Sequence, residues 1–158
     1  MTHGIEQILE QWRRERPDLD VSPMAVIGRL GRLGALVDTR LARTFTRHGL
    51  DAASFDVLAT LLRAGDPYEL SPRHLAESAM ITTSAVAQRL NRLAAAGLIE
   101  RLPDPEDRRG VRVRLTVEGR SRIEAALPEH LHTEEKILAR LSPEQREQLC
   151  TLLDLLEP

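Results

Sequence analysis

For most of the chain, apolar residues recur three and four positions apart, the spacing of helices that bury one face. Ile5, Ile8, Leu9 and Trp12 share such a face, and Pro17 closes the helix that runs from Ile5 to Arg16. Ser22 then Pro23 is an N-cap followed by proline at the first helical position. The long helix opened there carries Val26, Leu30, Leu33, Val37, Leu41 and Phe45 on one stripe and ends at Gly49. Gly28, Gly31 and Gly34 inside it each cost about 1 kcal/mol relative to alanine. Their spacing predicts close approach by another helix. Asp51 caps a helix through Ala64 with Phe55, Leu58 and Leu62 inward, and Gly65-Asp66-Pro67 breaks it. Ser71-Pro72 repeats the cap device and opens a short helix that ends near Ala79. Thr82 or Thr83 caps the next helix, which stops at Gly97.

Beyond Gly97 the period shortens to two. Leu98 to Leu102 and Val111 to Leu115 read as strands around a charged turn. Val111, Val113 and Leu115 are expected to face inward, with Arg112 and Arg114 outward. Thr116 caps a helix toward Leu131. Ser142-Pro143-Glu144-Gln145 is a capping box for a last helix bearing Leu149, Leu152, Leu153 and Leu156.

Composition changes this picture little, and charge changes it more. Only Trp12, Phe45, Phe55 and Tyr68 are aromatic, so the core is aliphatic, as suits packed helices. No apolar run approaches the roughly 20 residues that span a bilayer. A lone cysteine, Cys150, excludes an internal disulfide framework and fits the cytoplasm. The net charge is −2, but residues 81–122 hold nine arginines against five acids, and residues 123–158 hold three bases against eight acids. Positive charge gathered in the middle can draw a polyanion to one face.

That middle also contains two helices joined by a few residues, the spacing of a helix-turn-helix. On the second, Val86, Leu90 and Leu93 share the inner face, while Ser84, Gln88 and Asn91 point away, flanked by Arg92 and Ala87. An outer face of amides and hydroxyls without Asp, Glu or Lys suits a major groove about 12 Å wide. The hairpin that follows carries Arg108 and Arg109 at its turn, where an arginine can enter the minor groove. Asp107 is placed to brace Arg109 in a bidentate pair. The fold expected is mainly α with a small β-hairpin wing: a winged helix-turn-helix. Its expected DNA-contacting residues are Ser71, Thr83, Ser84, Gln88, Asn91, Arg92, Arg108, Arg109 and Arg112. The leucine-rich outer helices exceed what one small core can hide, which predicts a homodimer.

The runs HGLDAASFDVLATLLRAG, AAAGLIERLPDPEDRRGVRVRLT and EGRSRIEAAL resemble the MarR family of winged-helix regulators across nearly the whole chain. The resemblance implies a homodimer through N- and C-terminal helices, two lobes on a pseudo-palindromic double-stranded DNA operator, and a transcription factor, usually a repressor. It implies residues 1–48 for dimerisation and a pocket helix, 49–116 for the DNA-binding lobe and 117–158 for C-terminal dimerisation. Asp107–Arg109 becomes the wing salt bridge and Arg109 the minor-groove finger.

Trp12, Asp56, Arg63 and Arg89, with the segment QWRRERPDLDVSPM, resemble the urate-responsive branch of that family. The likeness implies a pocket for a flat, anionic, purine-like effector. Arg63 pairs with its charge, Trp12 donates or stacks, Asp56 is repelled, and Arg89 is drawn inward. It also implies that both arginines hold acid partners in the free state. Cys150 between leucines is expected to be buried, which disfavours an oxidation sensor. His130 and His132, two apart on a helix, point in different directions, and His3, His48 and His74 lack partners at ligand spacing and are expected to be solvated or capping, so no metal or cofactor is expected. No glycine phosphate loop, nucleophile elbow or carboxylate pair points to an enzyme. A MarR-type regulator answering a different phenolic ligand, or a helical dimerisation protein without DNA binding, remains as an alternative.

Overall fold

The structure is a computed structural model that describes residues 3–78, 83–105, 107 and 110–156, and the side chains of all of these except residues 3 and 83–85. Seven helices and three strands are present among the described residues. In order they are α1 (His3–Glu15), α2 (Ser22–Arg47), α3 (Ala52–Arg63), β1 (Glu69–Leu70), α4 (Pro72–Ser78), α5 (Thr83–Ala95), β2 (Ile99–Pro103), β3 (Val111–Leu115), α6 (Val117–Leu138) and α7 (Pro143–Asp154). The chain forms two compact units, residues 1–40 and 41–158.

In the first unit, Ile5, Leu9 and Val21 make a small core with Ala25. Gly28 receives Ile5, whose Cδ1 would lie 3.6 Å from an added Cβ. Gly31 and Gly34 meet nothing within 4 Å, so of the three spaced glycines only Gly28 serves the expected close approach within this chain. Val26, Ile27, Leu33 and Leu36 stay exposed on α2.

The second unit holds the main core. Val57, Leu58 and Leu61 of α3 are fully buried with Leu75, Val113 and Ile123. Each such side chain contributes about 1.5–3 kcal/mol relative to exposure. Phe45 stacks on Phe55 at 4.5 Å between centroids, and His130 covers Phe55 at 4.6 Å. His130 is therefore a packing residue. The buried Thr44 hydroxyl is satisfied by Thr133 at 2.8 Å.

Asp51, Thr116 and Ser142 cap α3, α6 and α7, and Ser142 completes the capping box with Gln145. The sheet has antiparallel order β1-β3-β2. Its third strand, β1, is only two residues long, too short to show alternation in the sequence. Val113 and Leu115 face the core, but Val111 is 40% exposed. The expected inward Val111 fails because it sits at the turn end of β3, paired only with Pro103. Helix α6 extends to Leu138 through Pro128, past the expected limit near Leu131. Helix α7 buries no residue, so Cys150 is exposed, contrary to the buried position expected. Leu156 lies beyond the end of α7.

Gly97 closes α5 at φ +70°, a left-handed position suited to glycine. The Leu98 carbonyl then accepts the Thr116 N–H at 3.2 Å, and the Thr116 hydroxyl donates to the Gly97 carbonyl at 2.7 Å while accepting the Gly119 N–H at 3.0 Å. A Cβ on Gly119 would stand 1.9 Å from the Leu98 oxygen. Gly119→Ala is expected to destabilise the fold by about 1–3 kcal/mol, read as a lower urea midpoint with unchanged slope. Asp51→Ala is expected to cost about 1 kcal/mol through the lost cap. The Ser54 backbone N–H, chiefly, holds the Asp51 carboxyl below its usual range. A lowered folded pKa contributes stability above the unfolded value of about 3.9 and loses it as pH falls through the folded value. The gap between wild type and Asp51→Ala in urea melts should close in acid.

Candidate nucleic-acid interface and cavity

Helix α5 divides as its sequence requires. Val86, Leu90 and Leu93 are buried, and Ala87, Gln88, Asn91 and Arg92 are exposed. The Gln88, Asn91 and Arg92 side chains therefore share the open side of α5. The side chains of Thr83 and Ser84 lie outside the described residues, as do Thr82, Arg108 and Arg109, and with them the Asp107–Arg109 bridge. Ser71 is half-buried and its hydroxyl oxygen caps α4 by accepting the His74 N–H at 3.2 Å.

The Gly110 N–H donates to the Asp107 carbonyl at 2.8 Å, and the Asp104 N–H to the Gly110 carbonyl at 3.1 Å. Arg112 does not project from the wing turn. Its guanidinium lies 3.4 Å from Asp104 and 3.8 Å from Glu69, and its side chain is largely covered. The pleat turns Arg112, an expected DNA-contacting residue, toward carboxylates on both sides of β3. Arg114 likewise pairs with Glu100 at 2.9 Å. Among the arginines near α5, Arg92 reaches Asp51 at 3.4 Å, and Arg101 of β2 donates to the Asn91 amide oxygen at 2.7 Å. Sequence reasoning missed Arg101. By strand alternation it shares a face with the buried Ile99 and stands opposite Val113, so no local pattern signalled its exposure or its contact with Asn91.

Beside α3 lies a cavity of about 700 Å³ whose walls include Phe55, Leu62, Leu127 and Leu131 and whose polar groups include Asp56, Arg63 and His130. That volume suits a small organic molecule. The Arg63 guanidinium donates to the Ser78 carbonyl at 2.6 Å. The free-state acid partners expected for Arg63 and Arg89 are corrected. Among the described residues neither forms an ion pair, and one Arg89 nitrogen is buried without a hydrogen-bond partner. Asp56 and Arg63 stand about 10.5 Å apart along the helix axis, and Arg63 turns instead to the end of α4.

Asp56 keeps access to solvent as a residue, yet its carboxyl is desolvated. Burial pushes it above its usual range, against the pull of Arg89, then His130, then Arg63. Three cationic or ionisable groups from α5, α6 and α3 thus act on one carboxyl. Trp12 belongs to the N-terminal unit and is exposed there. His130 was missed as a cavity residue because its position depends on stacking against Phe45 and Phe55. Among the described residues no cluster of metal-binding side chains occurs and no helix is long and apolar enough to cross a membrane.

A folded pKa raised above the unfolded value means that Asp56 stabilises fully below its unfolded pKa and loses that contribution as pH rises through the folded value. Asp56→Asn, which mimics the neutral acid, should therefore raise stability at pH 7, and the gain should shrink as pH falls through the raised value and vanish below the unfolded one. Urea midpoints of both proteins across pH check this, and a lower midpoint for Asp56→Asn at pH 7 contradicts it.

The profile of the MarR family matches residues 48–110. The HTH-type transcriptional regulator PecS of Dickeya dadantii is 44% identical over 153 residues, which span 97% of this chain and 92% of PecS. Sco3205, a MarR family transcriptional regulator from Streptomyces coelicolor solved in complex with DNA, superposes with a TM-score of 0.79, 26% identity and 87% of each chain covered. BpsR of Bordetella bronchiseptica, solved for the mechanism by which 6-hydroxynicotinic acid regulates its DNA binding, superposes with a TM-score of 0.74 at 28% identity, over 83% of this chain and 91% of BpsR.

Proposed function

The chain belongs to the MarR family of DNA-binding transcriptional regulators, and from that premise we propose that it is a homodimeric repressor released from its operator by a small anionic heteroaromatic molecule such as urate. The dimer is supported by apolar surface left open on a single chain. Val26, Ile27, Leu33 and Leu36 on α2, and Leu152 and Leu153 on α7, are all exposed. Exposed apolar surface on each unit suits burial against a second copy. Each protomer offers α5 to the major groove and the wing to the flanking groove. Gln88, Asn91 and Arg92 meet base edges and phosphates, Arg108 and Arg109 reach the minor groove, and Ser71, Thr83 and Ser84 approach the backbone.

The observation that carries the effector reading is Asp56, a desolvated acid in a cavity with Arg63 and His130 and within the electrostatic reach of Arg89 on α5. An anion entering that cavity meets Arg63 and repels Asp56. Arg89 is then drawn toward the anion, and α5 moves with it. A flat ring finds Phe55, Leu62 and Leu127 as apolar walls. BpsR, whose DNA binding is regulated by a hydroxylated pyridine carboxylate, supports an effector of this chemical class.

The test is thermal melting of the purified protein with urate, other purines, 6-hydroxynicotinate and phenolic acids. A binder at 100 times its dissociation constant adds about 2.7 kcal/mol of stability and should raise Tm by several degrees. In gel shifts the same compound should release DNA, while Arg63→Ala should bind DNA and ignore the compound. Retention of the response by Arg63→Ala places the effector elsewhere.

A further inference from the structure

We infer that Arg101, on the wing strand β2, is a specificity-determining residue that fixes which face of the Asn91 amide α5 presents to a base. The inference rests on the reading of α5 as the helix that enters the major groove. Arg101 donates to the Asn91 oxygen at 2.7 Å. A guanidinium carries donors only, so it can hold only the carbonyl end of an amide. The Asn91 oxygen is thereby turned toward the wing, and its NH2 group is turned away from it.

Without such a brace an exposed asparagine swings about its terminal torsion and offers oxygen or nitrogen to the same point in space. An unbraced amide reads donor and acceptor bases alike. A braced one discriminates. Purine N7, guanine O6 and thymine O4 are major-groove acceptors, whereas cytosine presents only its N4 donor there. Asn91 held by Arg101 donates to an acceptor and rejects cytosine at one position in each half-site. Both residues are exposed, one on the recognition helix and one on the strand that begins four residues after it, so the pair joins helix and wing at the surface offered to DNA.

Arg101 is a positioning residue in this account, which separates it from an arginine that only neutralises a phosphate. The probe is the duplex that the wild-type protein enriches from a randomised pool, with cytosine then placed at each half-site position in turn. Wild type should lose about tenfold in affinity at the position read by Asn91. Arg101→Met should bring that ratio close to one while the slope of log affinity against log salt stays unchanged. Asn91→Asp keeps an acceptor for Arg101 but offers oxygen to the base, and should turn the preference at that position toward cytosine.

An affinity loss in Arg101→Met that is uniform across duplexes, with the salt slope reduced by about one, makes Arg101 a phosphate contact and overturns the inference. Unchanged base preference in Arg101→Met also overturns it. If Arg101→Met does not fold, Asn91→Asp decides by itself: a preference that does not move toward cytosine overturns the inference. Failure of wild type to enrich any duplex is a different result and counts against the proposed function.

Discussion

The Leu98 carbonyl fixes how three functional elements meet. It ends the turn after α5, begins the path into β2, and accepts the Thr116 N–H at the start of α6. Gly119 lets α6 come so close that any side chain there would overlap that oxygen. Thr116 adds two hydrogen bonds at the same point, one to the Gly97 carbonyl and one from the Gly119 N–H. The recognition helix, the wing and α6 are thus pinned by backbone groups. Any displacement of α5 must pivot about this point or carry α6 with it. Helix α6 also bears His130, which stacks on the phenylalanines of α2 and α3. The path from cavity to recognition helix is therefore short and made of packed elements.

Charge is organised around the same frame. Arg112, Arg114 and Arg92 each lie beside a carboxylate, and Arg101 holds an amide. The positive middle of the chain is accordingly less free than its count of arginines suggests. Paired arginines keep fixed positions, which favours geometric reading of a groove over diffuse attraction. The more exposed Arg114–Glu100 and Arg92–Asp51 pairs contribute about 0–1 kcal/mol each to stability, so their value to the protein lies in orientation.

The caps and the faces of the helices were legible in the sequence because each follows from local chemistry. Asp51, Thr116 and Ser142 cap as their spacing predicts, and Val86, Leu90 and Leu93 turn inward on a period that needs no tertiary knowledge. What was not legible depended on distant partners. The two residues of β1 become a strand only because β3 lies beside them. Arg112 looked free until Asp104 and Glu69 were placed around it. His130 carried no ligand pattern, and its place at the cavity comes from aromatic stacking across three helices. Cys150 sits between leucines that the chain by itself leaves uncovered, so local apolarity gave the wrong burial.

For the proposed effector response, the magnitudes allow a small anion to control an operator complex. Moving a two-state equilibrium from 99:1 to 1:99 takes about 5.5 kcal/mol of differential binding. Shared between the two sites of a dimer, each effector must supply about half. A unit anion about 5 Å from a guanidinium gains about 3 kcal/mol at an effective dielectric of about 20. One contact of this kind is enough if it exists in only one arrangement of α5. Arg89 fits that condition better than Arg63. Arg63 is already tied to the Ser78 carbonyl, so its contact with an anion differs little between arrangements. Arg89 has a buried nitrogen without a hydrogen-bond partner and feels both Asp51 and Asp56. In the proposed scheme the group that binds the effector and the group that converts binding into motion are therefore distinct, with Arg63 assigned to affinity and Arg89 to the difference between states.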